Sequence, residues 1–157
     1  MKTIIPIIVE GDLLDQHVDI IVNAWNRNMI PWWLLIPRGV SGAIKKRAGY
    51  KPFFELGKVG PIPLGGAVLT TAGKLNFQGI IHVAGINMLW CSTKYSIKQS
   101  VASAMRIVNE QQFKSVAFPI IGAGTGGFGE EGALLLMQEA IQKIESSAKV
   151  LFVKFRK

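Results

Sequence analysis

The segment from Ser115 to Gly132 (SVAFPIIGAGTGGFGEEG) constrains the fold of this chain more than any other. Its first part is short, apolar and rich in β-branched residues, which predicts a buried strand. Its middle, GAGTGGFG, has five glycines in eight residues, and a helical pattern begins at Glu130. A strand, a glycine-rich turn and a helix in this order can bind a phosphate, because glycines allow positive φ and let an anion approach bare backbone N–H groups. The alternative is a flexible connection without a ligand.

The composition is typical of a compact globular protein with anionic partners. The chain has 157 residues, of which 49% are hydrophobic and 18% charged, and its formal net charge is +8. This length predicts a single domain over residues 1–157 with its own core. The positive charge favours a nucleotide, a nucleic acid or another polyanion as partner. The basic residues are scattered, apart from Lys45–Arg47 and three near the C terminus, so nucleic acid is a secondary hypothesis.

Several classes of protein are disfavoured by single features of the sequence. The one cysteine, Cys91, cannot form an intramolecular disulfide or a cysteine zinc cluster, and no pair of histidines or carboxylates has metal-ligand spacing. We therefore expect no metal and no cofactor. The N-terminal residues become acidic too early for a signal peptide, and prolines interrupt the apolar run at residues 29–37. We expect a cytoplasmic protein that makes no membrane contact.

Strands and helices are predicted to alternate along the chain. The predicted strands are Thr3–Val9, Val18–Asn23, Ala67–Ala72, Gly79–Ala84, one around Val116, and Lys149–Phe155. The predicted helices are Arg38–Gly49, Ser92–Gln112 and Glu130–Ile144, whereas prolines and glycines make Lys51–Pro63 irregular. Pro6 places the first strand at an edge, and the last strand closes the sheet. The alternation predicts an α/β fold with a mixed, mostly parallel sheet of about six strands and helices on both faces.

Taken in order, these segments resemble the macro domain family over nearly the whole chain. The segments that carry the resemblance are VEGDL at residues 9–13, VDIIVNAWN at 18–26, GVSGAI at 39–44 with RAG at 47–49, IHVAG at 81–85, and FPIIGAGTGGFG at 118–129. They are similar to the family's GD(I/L), VDAIVNAAN, GGVDGAIHRAAG, IHxVGP and second phosphate-binding loop. Each motif alone is weak, but their order and spacing together are specific.

The resemblance implies a three-layer α/β/α fold that binds ADP-ribose in a cleft at the crest of the sheet. The ligand-binding residues that it implies are Asp12, Leu13, Asn23, Gly39, Val40, Gly122, Ala123, Gly124, Thr125, Gly126, Gly127, Phe128 and Phe155, and the catalytic ones are Asn26 and Ser41. Residues 122–128 would surround the diphosphate with N–H donors, and Phe128 would pack on the distal ribose side.

Three of these roles have structural alternatives. Asp12 would accept a hydrogen bond from the adenine amine, or cap a helix or turn. Phe155 would stack on adenine, or be an ordinary core residue. Asn26 would contact the distal ribose, or brace its own loop.

The chain departs from the family pattern in its first loop. Where the family has a glycine-rich loop, residues 27–38 read RNMIPWWLLIPR, and of the glycine run only Gly39 remains. Two adjacent tryptophans are rarely both core residues, so Trp32 or Trp33 is a candidate for a lid, a stacking platform or a partner contact. A packing role for at least one of them is the alternative. Arg27 or Arg38 could supply positive charge to the diphosphate in place of N–H donors.

The second departure concerns catalysis. Hydrolases of the family that carry VDG use its aspartate to activate water or a ribose hydroxyl, whereas this chain has Ser41 there. A serine is not a base at neutral pH without a partner. Neither Asp19 nor Glu55, the nearest carboxylates in sequence, has motif support as a replacement. His82 lies in an apolar strand, which favours a buried structural histidine over a general base.

Three functions are consistent with these features. The first is binding of ADP-ribose or a related nucleotide together with hydrolysis of mono-ADP-ribose from a modified protein or nucleic acid, or processing of an ADP-ribose derivative. The second is an ADP-ribose reader without turnover, which the missing aspartate favours. The third is a basic protein that binds nucleic acid or poly-ADP-ribose, with Trp32 and Trp33 as a stacking platform.

Overall fold

The computed structural model describes residues 2–34, 39–87, 89, 91–124 and 127–156. Its strands are β1 (Lys2–Thr3), β2 (Ile7–Gly11), β3 (Ile20–Trp25), β4 (Ala67–Thr70), β5 (Gly79–Ala84), β6 (Ser115–Pro119), β7 (Glu145–Ser146) and β8 (Lys149–Phe155). Its helices are α1 (Gly39–Ala48), α2 (Lys51–Val59), α3 (Lys94–Gln111) and α4 (Glu130–Ile141). Short 3₁₀ helices cover Leu13–Asp15 and Trp32–Leu34.

Six of these strands form the central sheet. Their spatial order is β2-β8-β6-β3-β5-β4. The first five are parallel, and β4 pairs antiparallel with β5. The small strands β1 and β7 pair separately. The expected mixed, mostly parallel sheet of about six strands is therefore confirmed.

Helices cover the sheet on both sides because its strands are apolar on both faces. In β3, Ile20 and Val22 pack in the core cluster formed with α3 and α4, whereas Ile21 packs in the cluster formed with α1 and α2. Ile81 and Ile80 of β5 divide between the two clusters in the same way. This alternation follows from the period of two along a strand and produces the three-layer α/β/α architecture.

The irregular segment predicted at Lys51–Pro63 was wrong, because most of it is helix α2. Pro52 lies in the first helical turn, where its missing N–H has no intrahelical acceptor to lose. Phe53 and Leu56 are buried on one side of the helix, and Gly60 ends it with a φ of 85°. Pro52 and Gly60, two of the breakers that suggested a loop, therefore mark the two ends of a helix, and Gly57 lies within its last turn.

Other predictions were wrong in their boundaries or position. The first predicted strand is two short strands in different sheets, separated by residues 4–6. The second of them, β2, is an edge strand as predicted. The last strand, β8, lies between β2 and β6 and does not close the sheet. Helix α4 ends at Ile141, three residues earlier than predicted.

Candidate functional site

The predicted site residues gather at one edge of the sheet. The carboxyl ends of the parallel strands meet there, and in open α/β sheets this edge is where ligands bind. Asp12 follows β2, Phe155 ends β8, the glycine loop follows β6, and Asn26 follows β3. Segments distant in sequence thus supply one continuous rim.

Asp12 and Phe155 lie side by side on neighbouring strands. Gly11 is opposite Phe155 in the register of β2 and β8, and the N–H of Arg156 donates to the Gly11 carbonyl at 3.0 Å. Phe155 is 58% exposed, which removes the alternative of a core phenylalanine. Its ring is available to an aromatic ligand at this corner of the rim.

Asp12 acts as the cap of the first 3₁₀ helix. Its Oδ1 accepts a hydrogen bond from the N–H of Leu14 at 2.9 Å. Its Oδ2 lies 3.7 Å from Nη1 of Arg47 in α1. The side chain of Leu13 is buried. The capping alternative for Asp12 is therefore present, and one carboxylate oxygen is left for another partner.

The glycine loop begins with a residue that only glycine fits. Gly122 has a φ of 90°, and a Cβ there would stand 2.7 Å from Cδ1 of Ile97 in α3. Its carbonyl accepts a hydrogen bond from the N–H of Phe128 at 3.2 Å, which closes the loop on itself. The half-buried Phe128 ring packs on the core at α3 and α4.

The middle of this loop is open. A Cβ placed at Gly124 or Gly127 would meet no atom within 4 Å, and Gly127 has a φ of 94°. Ala123 is half-buried, whereas Gly124 and Gly127 are exposed. The predicted residues Thr125 and Gly126 lie outside the described residues. An anion can approach the backbone closely at Gly124 and Gly127.

Two carboxylates stand at the helix N-terminus that follows the loop. Glu130 and Glu131 occupy the first turn of α4, and Arg156 pairs with Glu130 at 2.8 and 3.0 Å. This hydrogen bond with Arg156 lowers the pKa of Glu130. Acidic residues already complement the helix dipole here, so a bound anion would rely on loop N–H groups rather than on the helix end.

Asn23 is fully buried under the rim and bonded on both sides. Its Nδ2 lies 3.0 Å from Nδ1 of His82, and its Oδ1 accepts a hydrogen bond from Oγ of Ser41 at 2.8 Å. The Ser41 hydroxyl also lies 3.1 Å from the carbonyl of Ala24. Asn23 therefore sets the position of Ser41 from beneath.

His82 is the inner end of this chain of hydrogen bonds. Its Nε2 lies 2.8 Å from Oγ1 of Thr70, which in turn donates to the carbonyl of Thr71 at 3.0 Å. Since the Asn23 amide donates to Nδ1, the ring carries its proton on Nε2. Complete burial lowers the pKa of His82 to about 3. His82 is thus a neutral structural histidine, as favoured from the sequence.

Asn26 is nearly buried, and its Oδ1 accepts a hydrogen bond from the N–H of Asn28 at 2.7 Å. Asn28, which sequence reasoning missed, holds the loop with a φ of 60°. Its Nδ2 donates to the carbonyls of Leu56 and Gly60 at 2.7 and 2.9 Å. The asparagine after a strand end was the available signal, since Asn tolerates positive φ. The bracing alternative for Asn26 is therefore present in part.

The two carboxylates considered as bases are engaged elsewhere. Asp19 lies at the opposite edge of the sheet, where it accepts the N–H of Lys114 at 2.8 Å. Glu55 accepts hydrogen bonds from Thr71 through N–H and hydroxyl, at 2.9 and 2.6 Å. The hydroxyl bond is the main reason that the pKa of Glu55 is lowered. Neither carboxylate takes part in the hydrogen bonds of Ser41 or Asn26.

The first loop is held by a buried lysine that sequence reasoning missed. Lys45 of α1 donates from Nζ to the carbonyl of Trp32 at 3.2 Å and lies 5.1 Å and 5.2 Å from the ring centroids of Trp25 and Phe53. Burial lowers the pKa of Lys45. Ser41 and Lys45 stand one turn apart on α1, so this helix connects the Ser41 hydroxyl with the first loop.

The other predicted residues of the first loop and of the start of α1 differ in exposure and in contacts. Trp32 is half-buried against Phe53, whereas Trp33 is 67% exposed. Arg27 donates from Nε to the carbonyl of Ile62 at 3.1 Å, and Arg38 lies outside the described residues. At the start of α1, Gly39 has a φ of 53° and is exposed, and Val40 is half-buried.

The described residues contain neither a cluster of metal-ligating side chains nor a helix that could span a membrane. No group of three or more metal-ligating side chains occurs among residues 2–34, 39–87, 89, 91–124 and 127–156. Over the same residues, none of the helices combines the length and the apolar character that crossing a membrane requires.

Comparison with known proteins finds the same family repeatedly. A family model described as "Macro domain" matches residues 22–137. A macro domain-containing protein of Caldanaerobacter subterraneus is 32% identical over 156 residues, covering 94% of this chain and 85% of that protein. An O-acetyl-ADP-ribose deacetylase of Escherichia fergusonii is 33% identical over 129 residues, covering 77% and 69%.

Solved structures agree in fold. The Oceanobacillus iheyensis macrodomain with ADP superimposes with a TM-score of 0.80 at 25% identity, covering 96% of this chain and 83% of that one. The match therefore extends over the sheet, its helices and the rim at the carboxyl ends of the strands.

Proposed function

Because this chain belongs to the macro domain family, we propose that its rim binds ADP-ribose or a closely related ADP-ribosyl nucleotide. The observation that carries this proposal is the convergence of Asp12, Phe155, the open glycine loop and Ser41 on one edge of the sheet. Each of these groups suits a different part of the ligand, and their order along the rim suits the order of its parts.

In this proposal the adenine lies between Asp12 and Phe155. The Asp12 oxygen that does not cap the 3₁₀ helix accepts a hydrogen bond from the exocyclic amine, and the exposed Phe155 ring stacks on the base. Arg47, whose Nη1 lies 3.7 Å from Oδ2 of Asp12, helps to orient the carboxylate.

The diphosphate lies over the glycine loop. Open backbone at Gly124 and Gly127 lets its oxygens reach N–H donors without meeting a Cβ. The distal ribose then lies toward Asn26 and the start of α1. The Ser41 hydroxyl directs its proton to Asn23, so its oxygen faces the ligand as an acceptor for a ribose hydroxyl.

Two relatives support this assignment of ligand. The Oceanobacillus iheyensis macrodomain was solved with ADP, which contains the adenosine and diphosphate parts of ADP-ribose. The Escherichia fergusonii relative is named for a reaction on an ADP-ribose ester.

Slow hydrolysis of an ADP-ribosyl ester is the second candidate activity, and the deacetylase relative favours it. This reaction adds water across the ester bond and releases ADP-ribose and a carboxylic acid. Ser41 has an amide and a backbone carbonyl as its hydrogen-bond partners, and neither is a base. Catalysis here would therefore rest on positioning of the ester and of water, which predicts turnover well below that of an enzyme with a carboxylate base.

Titration calorimetry with ADP-ribose, together with a deacylation assay on O-acetyl-ADP-ribose, tests both parts. Wild type and a control, Leu135→Ala on the exposed side of α4, should bind equally, and Ser41→Ala should bind several-fold more weakly. Absence of heat at high micromolar ligand in a folded protein would refute the binding proposal. Binding without any release of acetate would leave the reader function and refute the hydrolase.

A further inference from the structure

We propose that this chain has a second binding surface, for single-stranded nucleic acid, on the side of helix α2. We call it the α2 face and define it by six exposed side chains, Lys46, Tyr50, Lys51, Phe54, Lys58 and Lys74. They come from the end of α1, the outer side of α2 and the loop after β4. The surface goes beyond the ADP-ribose cleft and shares none of its proposed contacts.

The net positive charge of the chain lies in the segment that includes this face, and four of the basic residues of that segment belong to the face. Residues 20–109 contain eleven lysines and arginines and a single acidic residue, Glu55, whereas the remaining residues are nearly balanced. The basic residues look scattered along the sequence because the fold, and not the sequence, brings Lys46, Lys51 and Lys74 together. A local excess of this kind attracts polyanions.

A cavity gives this charge a shape. It is open to solvent, has a volume of about 680 Å³, and is lined by Lys45, Lys46, Ala48, Gly49, Tyr50, Lys51, Gly73 and Lys74. The N–H of Lys74 donates to the Ala48 carbonyl at 2.9 Å, and the methylene chain of Lys74 runs beside Gly49. These contacts fix the loop after β4 against α1 and place the ammonium group of Lys74 beside the cavity.

The lysines of the face form no close ion pairs among the described residues, although Lys51 and Lys58 interact electrostatically with the Glu55 carboxylate. Within the described ranges, Lys46, Lys51, Lys58 and Lys74 form no ion pair, in contrast to Lys98 and Lys154 elsewhere on the protein. Lys45 also lines the cavity but is buried beside the rings of Trp25 and Phe53, so we do not include it in the face.

The acidic residue of helix α2, Glu55, does not neutralise the four lysines of the α2 face. The Glu55 carboxylate is held by Thr71. Four lysines and one glutamate give the α2 face a net charge of +3.

Two aromatic rings lie between the lysines. Tyr50 is 68% exposed and Phe54 is 58% exposed. The N–H of Phe54 donates to the Tyr50 carbonyl at 2.8 Å, so the two residues stand one helical turn apart on the same side. Lys58 lies 4.7 Å from the Phe54 ring centroid in the next turn. The side of α2 thus alternates aromatic and cationic groups.

Trp32 supports this face from behind rather than forming it. The Trp32 ring lies 5.5 Å from that of Tyr50 at 31° and is itself half-buried. It fixes the Tyr50 ring in place. The stacking platform of this proposal therefore consists of Tyr50 and Phe54, with Trp32 behind Tyr50.

Single-stranded nucleic acid fits this arrangement better than a duplex or an acidic protein. Exposed rings interleaved with lysines bind unstacked bases and their phosphates together, whereas a duplex keeps its bases stacked and an acidic segment offers no bases. About three lysine–phosphate contacts would give a slope near −2 for log affinity against log salt, or roughly a twentyfold loss between about 50 and 200 mM salt.

The test is fluorescence anisotropy with a labelled oligothymidylate of about 20 nucleotides, long enough for the site sizes of such proteins. Lys51→Glu with Lys74→Glu should weaken binding at least tenfold, and Phe54→Ala at least fivefold. The matched control is Lys143→Glu with Lys149→Glu, two exposed lysines on another side that change the net charge equally. This control should lose less than threefold. Circular dichroism checks that each variant folds.

Five results would overturn the proposal: equal losses in both charge variants, equal binding of a duplex, equally effective competition by polyglutamate, no binding at low salt, or release of the oligonucleotide by ADP-ribose. Saturating ADP-ribose should leave the oligonucleotide bound. Release of the oligonucleotide would mean that the strand binds in the cleft instead. Because calorimetry with ADP-ribose reports on the cleft alone, failure of one proposal is distinguishable from failure of the other.

Discussion

The buried histidine under the rim makes stability depend on pH in a way that one substitution removes. His82 has an ordinary pKa of 6.5 in the unfolded chain and about 3 in the folded protein, because burial disfavours its charged form. As the pH falls below 6.5, the unfolded chain takes up a proton that the folded protein refuses. The stabilisation is therefore complete above pH 6.5 and is lost progressively toward pH 3.

The size of the effect follows from the two pKa values. At pH 4 the unfolded chain is about 2.5 pH units below the histidine pKa, and each unit is worth about 1.4 kcal/mol, so His82 alone lowers the free energy of unfolding by about 3 kcal/mol relative to pH 7. In His82→Gln an amide replaces the ring between Asn23 and Thr70 and cannot be protonated in this range. The variant should lack this part of the acid sensitivity.

Urea unfolding followed by tryptophan fluorescence measures this difference at pH 7 and pH 4. With a slope of about 2 kcal/mol/M, the midpoint of wild type should fall about 1.5 M further than that of the variant. Carboxylates such as Glu130 and Glu139 also lose their pairing with basic side chains when acid protonates them, but this loss is equal in both proteins and cancels. Equal acid losses in the two proteins would refute the assignment of His82 as a neutral, buried group.

Further substitutions test the rim. Gly122→Ala should lower the free energy of unfolding by about 1–3 kcal/mol, because the new Cβ meets Ile97 at positive φ; Gly124→Ala, with open space around it, should cost less than about 0.5 kcal/mol in the same urea experiment. Phe155→Ala should weaken ADP-ribose binding about five- to tenfold in calorimetry without changing the melting temperature, since the ring is largely exposed. Asn28→Ala should lower the free energy of unfolding by about 2 kcal/mol through lost hydrogen bonds and a strained positive φ; a change under half of that would contradict its bracing role.

Local patterns predicted most of the sheet and the order of the site. Continuous apolar runs marked β3 and β5 because strands covered on both faces have no polar alternation. The five glycines before Glu130 marked the turn after β6 because few other residues tolerate that backbone. Each of these features is formed by residues that are close together in the sequence, so a single sequence is enough to predict it.

Features that depend on distant residues escaped prediction. Asn23 meets His82 only because β3 pairs with β5 in that register, and Ser41 reaches Asn23 only because α1 packs over β3. Lys45 is buried beside the rings of Trp25 and Phe53, which come from two other segments, so its own neighbours in sequence do not reveal its burial. Helix α2 was missed because Pro52 lies in its first turn and Gly60 follows its last residue, where they do not break it, and because its last turn tolerates Gly57.

Amide hydrogen exchange with and without ADP-ribose tests the central claim most directly, since the claim is that backbone N–H groups of the glycine loop bind the diphosphate. Saturating ADP-ribose should slow exchange at Gly124 and Gly127 and leave exchange unchanged along α2. The N–H groups of Ala123 and Phe128 already donate to the carbonyls of Ile120 and Gly122 and are not part of this test. Bound ligand with unchanged exchange in the loop, or with protection confined to α2, would contradict the account.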